Sequence, residues 1–126
     1  MNVLLSGLST DRVELNLTKA LFDAGIDLTV IAEPESSAER LCREHNIRHV
    51  THHFSSRIDR QAIQLYRDLI PKHRIDLVHN LTNRALSTSL SGTRSMTSPP
   101  KIIAYRGTVG HLSWFDPASH LSLIHI

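Results

Sequence analysis

Short apolar runs alternate with amphipathic stretches along most of the chain. The apolar runs are typical of strands buried on both faces of a sheet, and they lie at Val3–Leu5, Leu28–Ile31, Ile47–Val50, Asp76–Asn80 and Lys101–Tyr105. The stretches between them carry apolar residues at helical spacing, which predicts helices over residues 11–24, 36–45, 58–69 and 83–90. Residues 91–100 are rich in Ser, Thr, Gly and Pro, which predicts a loop.

Local signals support the helix boundaries. The pairs Asp11/Glu14 and Ser36/Glu39 both have the three-residue spacing of a capping box, which marks the start of a helix. Gly25 follows the first helix and predicts its C-terminal end. The spacing of the apolar residues predicts that one face of this helix is formed by Val13, Leu17, Ala20, Leu21 and Ala24.

Strands separated by helices predict β-α-β units, and therefore an α/β fold with a Rossmann-like parallel sheet and helices on both faces. Ligands of such sheets bind at the carboxyl ends of the strands, near the point where the strand order reverses. Four segments are predicted to lie at those ends: Gly7–Thr10, Glu33–Glu35, His79–Asn83 and Arg106–His111.

Composition narrows the class of protein. Of the 126 residues, 40% are apolar and 21% charged, which is typical of one globular domain. Fourteen basic and twelve acidic residues give a net charge of +2, which is too weak and too scattered to indicate a nucleic-acid partner. The single cysteine, Cys42, and the lack of a signal-peptide pattern or a long apolar stretch predict a cytoplasmic protein. Peripheral contact at the inner face of a membrane stays open.

Two of the four segments, after the first and fourth strands, suit substrate binding but also have structural explanations. A glycine lets the backbone approach a ligand, and hydroxyls beside it add hydrogen bonds; the alternative is a plain strand-to-helix turn. A histidine and two asparagines after the fourth strand suit the recognition of hydroxyl groups; the alternative is a packed histidine and a helix cap. The candidate substrate-binding residues here are Gly7, Ser9, Thr10, His79, Asn80 and Asn83.

The segment after the fifth strand is the most informative. Arg106 can hold a phosphate or carboxylate through its planar guanidinium, and His111 can move a proton near neutral pH. We predict catalytic roles for these two residues and substrate binding by Gly107, Thr108 and Gly110 between them. The alternative is a surface turn with a solvated arginine.

Four histidines raise the question of a metal site. Their spacing fits no standard zinc pattern, and Cys42 is the only cysteine that could join them. We therefore expect no metal, and ordinary polar positions around a strand and a loop for His45, His49, His52 and His53.

The order of these motifs resembles a known family. The run from Ile102 through Arg106-Gly107-Thr108 and Gly110-His111 to Asp116-Pro117 is similar to the N-terminal domain of glycosyltransferase family 4, the group 1 transferases. The Met-x-Val-Leu-Leu start, the short glycine loop after it, and the fourth strand, with its Asp-Leu-Val-His pattern beginning at Asp76, are also similar. The resemblance covers nearly the whole chain and rests on the order and spacing of all the motifs together.

The resemblance implies a GT-B-type enzyme, in which two Rossmann-like domains face each other. The N-terminal domain binds a glycan or lipid-linked acceptor, and the C-terminal domain binds the nucleotide-sugar donor. Such an enzyme is a retaining transferase of the hexosyltransferase type, with the nucleotide sugar as co-substrate and with neither cofactor nor metal. Because the donor-binding basic residues and paired glutamates belong to the C-terminal domain, this chain alone is expected to be inactive.

Two features depart from the family pattern. Members often carry Gly-Gly where this chain has Gly7-Leu8, and many carry a histidine where it has Arg106. Whether Arg106 or His111 takes the place of that histidine stays open.

Residues 1–120 are expected to form an incomplete acceptor-side domain, and residues 121–126 a non-native or truncated tail that is excluded from the fold prediction.

Two alternative functions are a dinucleotide-binding oxidoreductase and a regulatory module. Glu33 ends the second strand, where a dinucleotide-binding oxidoreductase has a ribose-binding acid, but the Gly-x-Gly-x-x-Gly pattern is absent because Gly25 is the next glycine after Gly7. A non-catalytic regulatory module of the receiver type needs an acidic pair after the first strand and an aspartate after the third, and this chain has neither.

Overall fold

The computed structural model describes residues 1–54, 59–94, 96–104 and 124–125, with the backbone alone described for Asn83 and for residues 124–125. In these ranges the strands are β1 (Asn2–Leu8), β2 (Asp27–Ala32), β3 (Arg48–Thr51), β4 (Leu77–Asn80), β5 (Lys101–Ala104) and β6 (Ile124–His125). The helices are α1 (Arg12–Asp23), α2 (Ser37–His45), α3 (Arg60–Lys72) and α4 (Asn83–Thr93). None of these helices is long and apolar enough to cross a membrane.

The strands form one sheet in the order β3-β2-β1-β4-β5-β6, and every neighbouring pair is parallel. The predicted α/β fold with a Rossmann-like parallel sheet is confirmed. The chain moves outward from β1 to β2 and β3 and then returns to the other side of β1, so the strand order reverses between β1 and β4. The carboxyl ends of β1 and β4 therefore lie side by side at the position where such sheets bind ligands.

Two hydrophobic cores lie on opposite faces of the sheet. One packs α3 and α4 against Leu4, Val78 and Ile102; the other packs α2 and part of α1 against Leu5 and Val30. Because successive side chains of a strand point to opposite faces, every strand residue can be assigned to one of these two layers. The same rule assigns each polar side chain of β1 and β4 to one of the two layers.

The predicted starts of α1 and α2 and the predicted end of α1 are confirmed, whereas α3 runs from Arg60 to Lys72, past its predicted end at residue 69. The Asp11 carboxylate accepts hydrogen bonds from the backbone N–H groups of Val13 and Glu14, and the Ser36 hydroxyl accepts one from the N–H of Glu39. Gly25 has φ +85° and follows α1, as the end of a helix requires.

The predicted face of α1 is only partly right, because Leu21 packs against the core but three of the five residues are exposed. Val13 is 65% exposed and Ala20 and Ala24 are exposed, whereas Thr18 is buried and Phe22 packs against the core. The helix carries apolar residues on more than one side, so spacing alone does not select the side that meets the sheet. The contact with β1 and β2 turns the helix so that the face predicted to be buried lies largely toward solvent.

Helix α4 continues to Thr93, beyond the predicted end at Leu90 and into the segment predicted to be a loop. The hydroxyls of Thr88, Ser89 and Thr93 donate to backbone carbonyls one turn earlier, which satisfies these side chains within the helix. Gly92 faces Tyr66 of α3, where an added Cβ would lie 3.1 Å from the tyrosine Cβ. The small polar residues thus allow α4 to pack closely on α3.

Strand β1 is longer than predicted, and the sheet has one strand more than predicted. Strand β1 passes through Gly7 to Leu8, with a register shift between Ser6 and Leu8. Residues 124–125, which were excluded from the fold prediction, pair in parallel with β5.

Candidate functional site

The polar end of β4 defines the candidate site. His79 and Asn80 are the last two residues of the strand and pair with Leu5 and Ser6 of β1, at the reversal point of the strand order. Both predicted residues are therefore at the carboxyl edge of the sheet. Asn80 shares the α3/α4 face with Val78, whereas His79 shares the opposite face with Leu5.

Asn80 is the most unusual polar residue of this edge. It is 1% exposed, and neither its amide nitrogen nor its amide oxygen has a hydrogen-bond partner in the described part of the chain. Leaving such a group unpaired costs about 1–3 kcal/mol, so natural proteins rarely do so without a reason. The amide offers two donors and an acceptor to whatever hydroxylated group approaches the edge.

His79 has a related environment on the other face. It is 5% exposed, and its Nε2 atom lacks a partner among the described residues. Burial lowers the pKa of its imidazole below the ordinary value, so the ring is neutral at pH 7. A neutral imidazole can donate one hydrogen bond and accept one, which suits a hydroxyl group and does not supply a positive charge.

Buried hydrogen bonds of Tyr66 connect the carboxyl end of β1 to α3 and α4. The hydroxyl of Tyr66 donates to the carbonyl of Ala85 at 3.3 Å and is hydrogen-bonded to the hydroxyl of Ser6. Burial raises the pKa of the Tyr66 phenol, which therefore stays neutral. The phenol joins β1 to both α3 and α4 beside Asn80, and sequence reasoning did not single it out because the pair is separated by 60 residues.

Gly7 is in close contact with α4. Its φ is +89°, and an added Cβ would lie 3.1 Å from Oγ1 of Thr82 and 3.3 Å from Cβ of Ala85. The described contacts thus place Gly7 where β1 passes the first turn of α4, and they give it a packing role. Ser9 is half-buried and Thr10 exposed, both at the same edge of the sheet.

The start of α1 is acidic. Asp11 occupies two of the first backbone N–H groups, at 2.8 and 3.1 Å, and Glu14 follows in the first turn. Burial and the Asp11 carboxylate raise the pKa of Glu14 to about 7. Two carboxyl groups at this helix end oppose the binding of a pyrophosphate, which in dinucleotide-binding proteins lies against the N–H groups of this helix.

The first turn of α4 carries no carboxylate and has one cation, Arg84. The hydroxyl of Thr82 accepts from the N–H of Ala85 at 3.1 Å, and Arg84 donates to the carbonyl of Phe54 at 3.2 Å. Asn83, a predicted binding residue, is the first residue of α4 and so lies at the carboxyl edge.

The remaining predicted site residues lie outside the described residues. They are the two catalytic candidates and the three substrate-binding candidates after β5, namely Arg106, Gly107, Thr108, Gly110 and His111. Their roles stay predictions. Because β5 is next to β4 and parallel to it, the chain leaves β5 at the same edge of the sheet as Asn80.

Two of the four histidines follow β3, and each pairs with a carboxylate. His52 Nε2 lies 2.7 Å from Asp59, which also caps α3, and His53 is hydrogen-bonded to Glu33. The side chains of His52 and Asp59 are 11% and 8% exposed. No group of three or more metal-binding side chains occurs in the described ranges.

Comparisons with known proteins address the fold. No protein-family model matches the sequence, and no curated protein matches it. Among solved structures, the chain is similar to MurG of Acinetobacter baumannii, a GT-B glycosyltransferase, with a TM-score of 0.59 and 14% identity over 83% of this chain and 35% of MurG. The likeness to MurG shows the Rossmann-like α/β fold of this chain. The chain spans about a third of the length of MurG, so the likeness extends to part of that enzyme only.

A second solved structure shares the Rossmann-like sheet. This is the yeast methylglyoxal/isovaleraldehyde reductase Gre2, complexed with NADPH, with a TM-score of 0.52 and 13% identity over 83% of this chain and 36% of Gre2. At these identities the two likenesses show the fold alone. The choice between the two functions therefore depends on the residues of the carboxyl edge.

Proposed function

We propose that this chain is the acceptor-binding part of a nucleotide-sugar glycosyltransferase. The observation that carries the proposal is the Asn80 amide, which is buried at the reversal point of the strand order without a partner among the described residues. An acceptor hydroxyl beside this amide would supply the missing hydrogen bonds. The similarity to part of MurG supports the same function.

The electrostatics of the edge favour a hydroxylated ligand. His79 is neutral because burial lowers its pKa, and Asn80, Ser6 and Tyr66 carry no charge. The Asn80 amide and the His79 imidazole can exchange hydrogen bonds with hydroxyls without the desolvation of an ion, whereas the hydroxyls of Ser6 and Tyr66 bond to each other. A glycan, or the sugar of a lipid-linked acceptor, is the class of ligand that offers such hydroxyls.

In the proposed reaction, this chain binds the acceptor and orients the hydroxyl that attacks the donor sugar. Positive charge develops on the sugar and negative charge on the leaving nucleoside diphosphate, and the cations that stabilise the diphosphate belong to a second domain. Arg106 and His111 are proposed as catalytic residues on the chemistry of their side chains and on their position after β5. We propose no cofactor and no metal, and we expect the 126-residue chain alone to transfer no sugar.

The alternative is a dinucleotide-binding oxidoreductase, which the likeness to the NADPH complex of Gre2 favours. Glu33 stands at the end of β2, as a ribose-binding acid would, but it is hydrogen-bonded to His53. The turn after β1 is not glycine-rich, and its Gly7 packs against Thr82. The carboxylate of Asp11 already accepts from the first N–H groups of α1, where a pyrophosphate would bind. The carboxyl edge therefore favours the acceptor-binding function.

The Asn80→Leu substitution tests the proposal. The chain and the variant would be titrated by NMR with free oligosaccharides, short-chain lipid-linked sugars, UDP-glucose and NADPH. We expect a sugar acceptor to shift the resonances of residues 79–83, and Asn80→Leu to weaken this binding at least tenfold. Because the variant removes an unpaired buried amide, its unfolding free energy should rise, on the order of 1 kcal/mol.

The exposed Asn16 of α1 provides the matched control. Asn16→Leu should leave acceptor binding unchanged. Acceptor binding that survives Asn80→Leu would remove the basis of the proposal. Tight binding of NADPH that is lost in a Glu33→Ala variant would favour the oxidoreductase instead.

A further inference from the structure

A groove opens at the amino edge of the sheet, opposite the candidate site. It has a volume of about 590 Å³ and lies between the C-terminal end of α3, the turn that leads into β4, and the segment that precedes β5. Ligand pockets of small organic molecules usually have volumes of this order. The groove is therefore large enough for a ligand with a ring or a short aliphatic chain.

The groove has an apolar surface. Ile70 and Ile75 line it and are 5% and 6% exposed, and Met96 lines it and packs against the same core cluster. The apolar surface of these three side chains can bind the hydrocarbon part of a ligand through the hydrophobic effect.

Two arginines also line the groove. Arg67 and Arg74 are both exposed, and in the described part of the chain neither guanidinium forms an ion pair or a side-chain hydrogen bond. The carboxylate at the same groove, Asp76, accepts a hydrogen bond from the backbone N–H of Asn2 at 2.9 Å. The guanidinium groups are thus available to an oxyanion, which arginine binds through paired N–H donors.

Arg74 occupies a backbone position that disfavours it. Helix α3 ends with hydrogen bonds from the N–H of Arg74 to the carbonyl of Pro71 and from the N–H of Ile75 to the carbonyl of Ile70, at 3.3 and 2.9 Å. This closure requires a left-handed residue, and Arg74 has φ +52°. Helix α1 ends in the same way with Gly25 at this position.

Glycine is the usual residue of the left-handed region, so Arg74 carries a backbone cost that a bound ligand would offset. The groove suits such a ligand, because it combines a second available guanidinium with an apolar wall.

We propose that this groove binds a small amphipathic oxyanion. The carboxylate or phosphate of the ligand is held by Arg67 and Arg74, and its hydrocarbon part packs on Ile70, Ile75 and Met96. This site is separate from the acceptor site, since it lies at the other edge of the sheet, and it does not depend on the proposed glycosyltransferase function.

The test uses the full 126-residue chain and simple probes. Phenyl phosphate and benzoate carry the two oxyanions on a ring, inorganic phosphate lacks the ring, and benzyl alcohol lacks the charge. We expect at least one ring oxyanion to shift the Met96 methyl resonance in an NMR titration. Inorganic phosphate and benzyl alcohol should bind at least tenfold more weakly than that probe.

The Arg74→Gly variant separates binding from folding. Glycine suits the left-handed backbone, so the variant should keep or raise the thermal midpoint while it weakens the ring oxyanion at least tenfold. Arg67→Gln should weaken the same probe, and Arg40→Gln, an exposed arginine on α2, should not.

Any one of four results would overturn this proposal. Neither ring oxyanion shifts the Met96 resonance, or Arg74→Gly binds as the wild type does, or inorganic phosphate binds as tightly as phenyl phosphate. Equal weakening in Arg40→Gln would indicate attraction by net charge alone, and it would also reject a specific site.

Discussion

Glu14 shows how one residue can link pH to the stability of this fold. It lies in the first turn of α1, and burial together with the Asp11 carboxylate raises its pKa from 4.5 to about 7. The folded chain therefore binds this proton more tightly than the unfolded chain does. Between pH 4.5 and about 7 the unfolded state holds fewer protons, so the unfolding free energy falls as pH rises through this window.

We predict that Glu14→Gln removes this pH dependence. At pH 8 the variant should be more stable than the wild type by up to about 1 kcal/mol, a value reduced for solvent screening of a partly exposed group. At pH 4 the two should be nearly equal. Urea denaturation across this range measures the difference, with the exposed Glu44→Gln variant as the control. A wild-type slope retained in Glu14→Gln would contradict the prediction.

The residues of the candidate site differ in how far the sequence predicted them. His79 and Asn80 were predicted because a polar pair ends an apolar strand, and strand ends can be read from pattern. The bond between Ser6 and Tyr66 joins segments that are 60 residues apart, and the raised pKa of Glu14 depends mainly on its burial in the folded chain. No periodicity along the chain contains that information.

At the scale of elements, the approach of β1 to α4 depends on Gly7. Its φ of +89° disfavours any Cβ, and a Cβ would also lie 3.1 Å from Oγ1 of Thr82. Gly25 has a similar φ of +85°, but an added Cβ there would meet nothing within 4 Å. The two glycines therefore share the backbone cost of an alanine, and they differ in crowding.

We predict that Gly25→Ala costs about 1 kcal/mol and that Gly7→Ala costs at least about 1 kcal/mol more. The first value reflects the left-handed backbone, and the difference reflects the contact between β1 and α4. Thermal or urea denaturation of both variants gives the comparison. Equal costs would mean that Thr82 moves aside freely, and the close packing of these elements would then have no energetic weight.

Helices were harder to orient than to locate. The caps at Asp11 and Ser36 gave the starts of α1 and α2 because these hydrogen bonds are local. The buried side of α1 was predicted only in part, because the helix has apolar residues on more than one side and the sheet selects one of them. The extent of α4 was underestimated because its hydroxyls bond back to the helix, which composition alone does not show.

At the scale of the molecule, the parallel sheet follows from the alternation of strands and helices. Right-handed crossovers and helices on both faces leave few strand orders, and the observed reversal between β1 and β4 is one of them. The pairing of β6 with β5 was not predicted, because residues 121–126 were excluded from the fold prediction.

The two cores on either face of this sheet should unfold together, because they share the same strands. Leu4 and Leu5 are neighbours in β1 and are both 0% exposed, yet Leu4 belongs to the α3/α4 core and Leu5 to the opposite one. We predict that Leu4→Ala and Leu5→Ala each lower the unfolding free energy by about 2–5 kcal/mol. The exposed Val13→Ala should change it by less than about 0.5 kcal/mol.

Each variant should also keep a single transition, measured by circular dichroism and by NMR resonances from both helical layers. Both cores pack on β1. When one core unfolds, β1 loses its packing on that face, and the sheet that carries the other core unfolds with it. Two separate transitions in Leu5→Ala, with the α3/α4 layer unfolding later, would show that the two layers are independent. The candidate site at the end of β1 and β4 would then depend on only one of them.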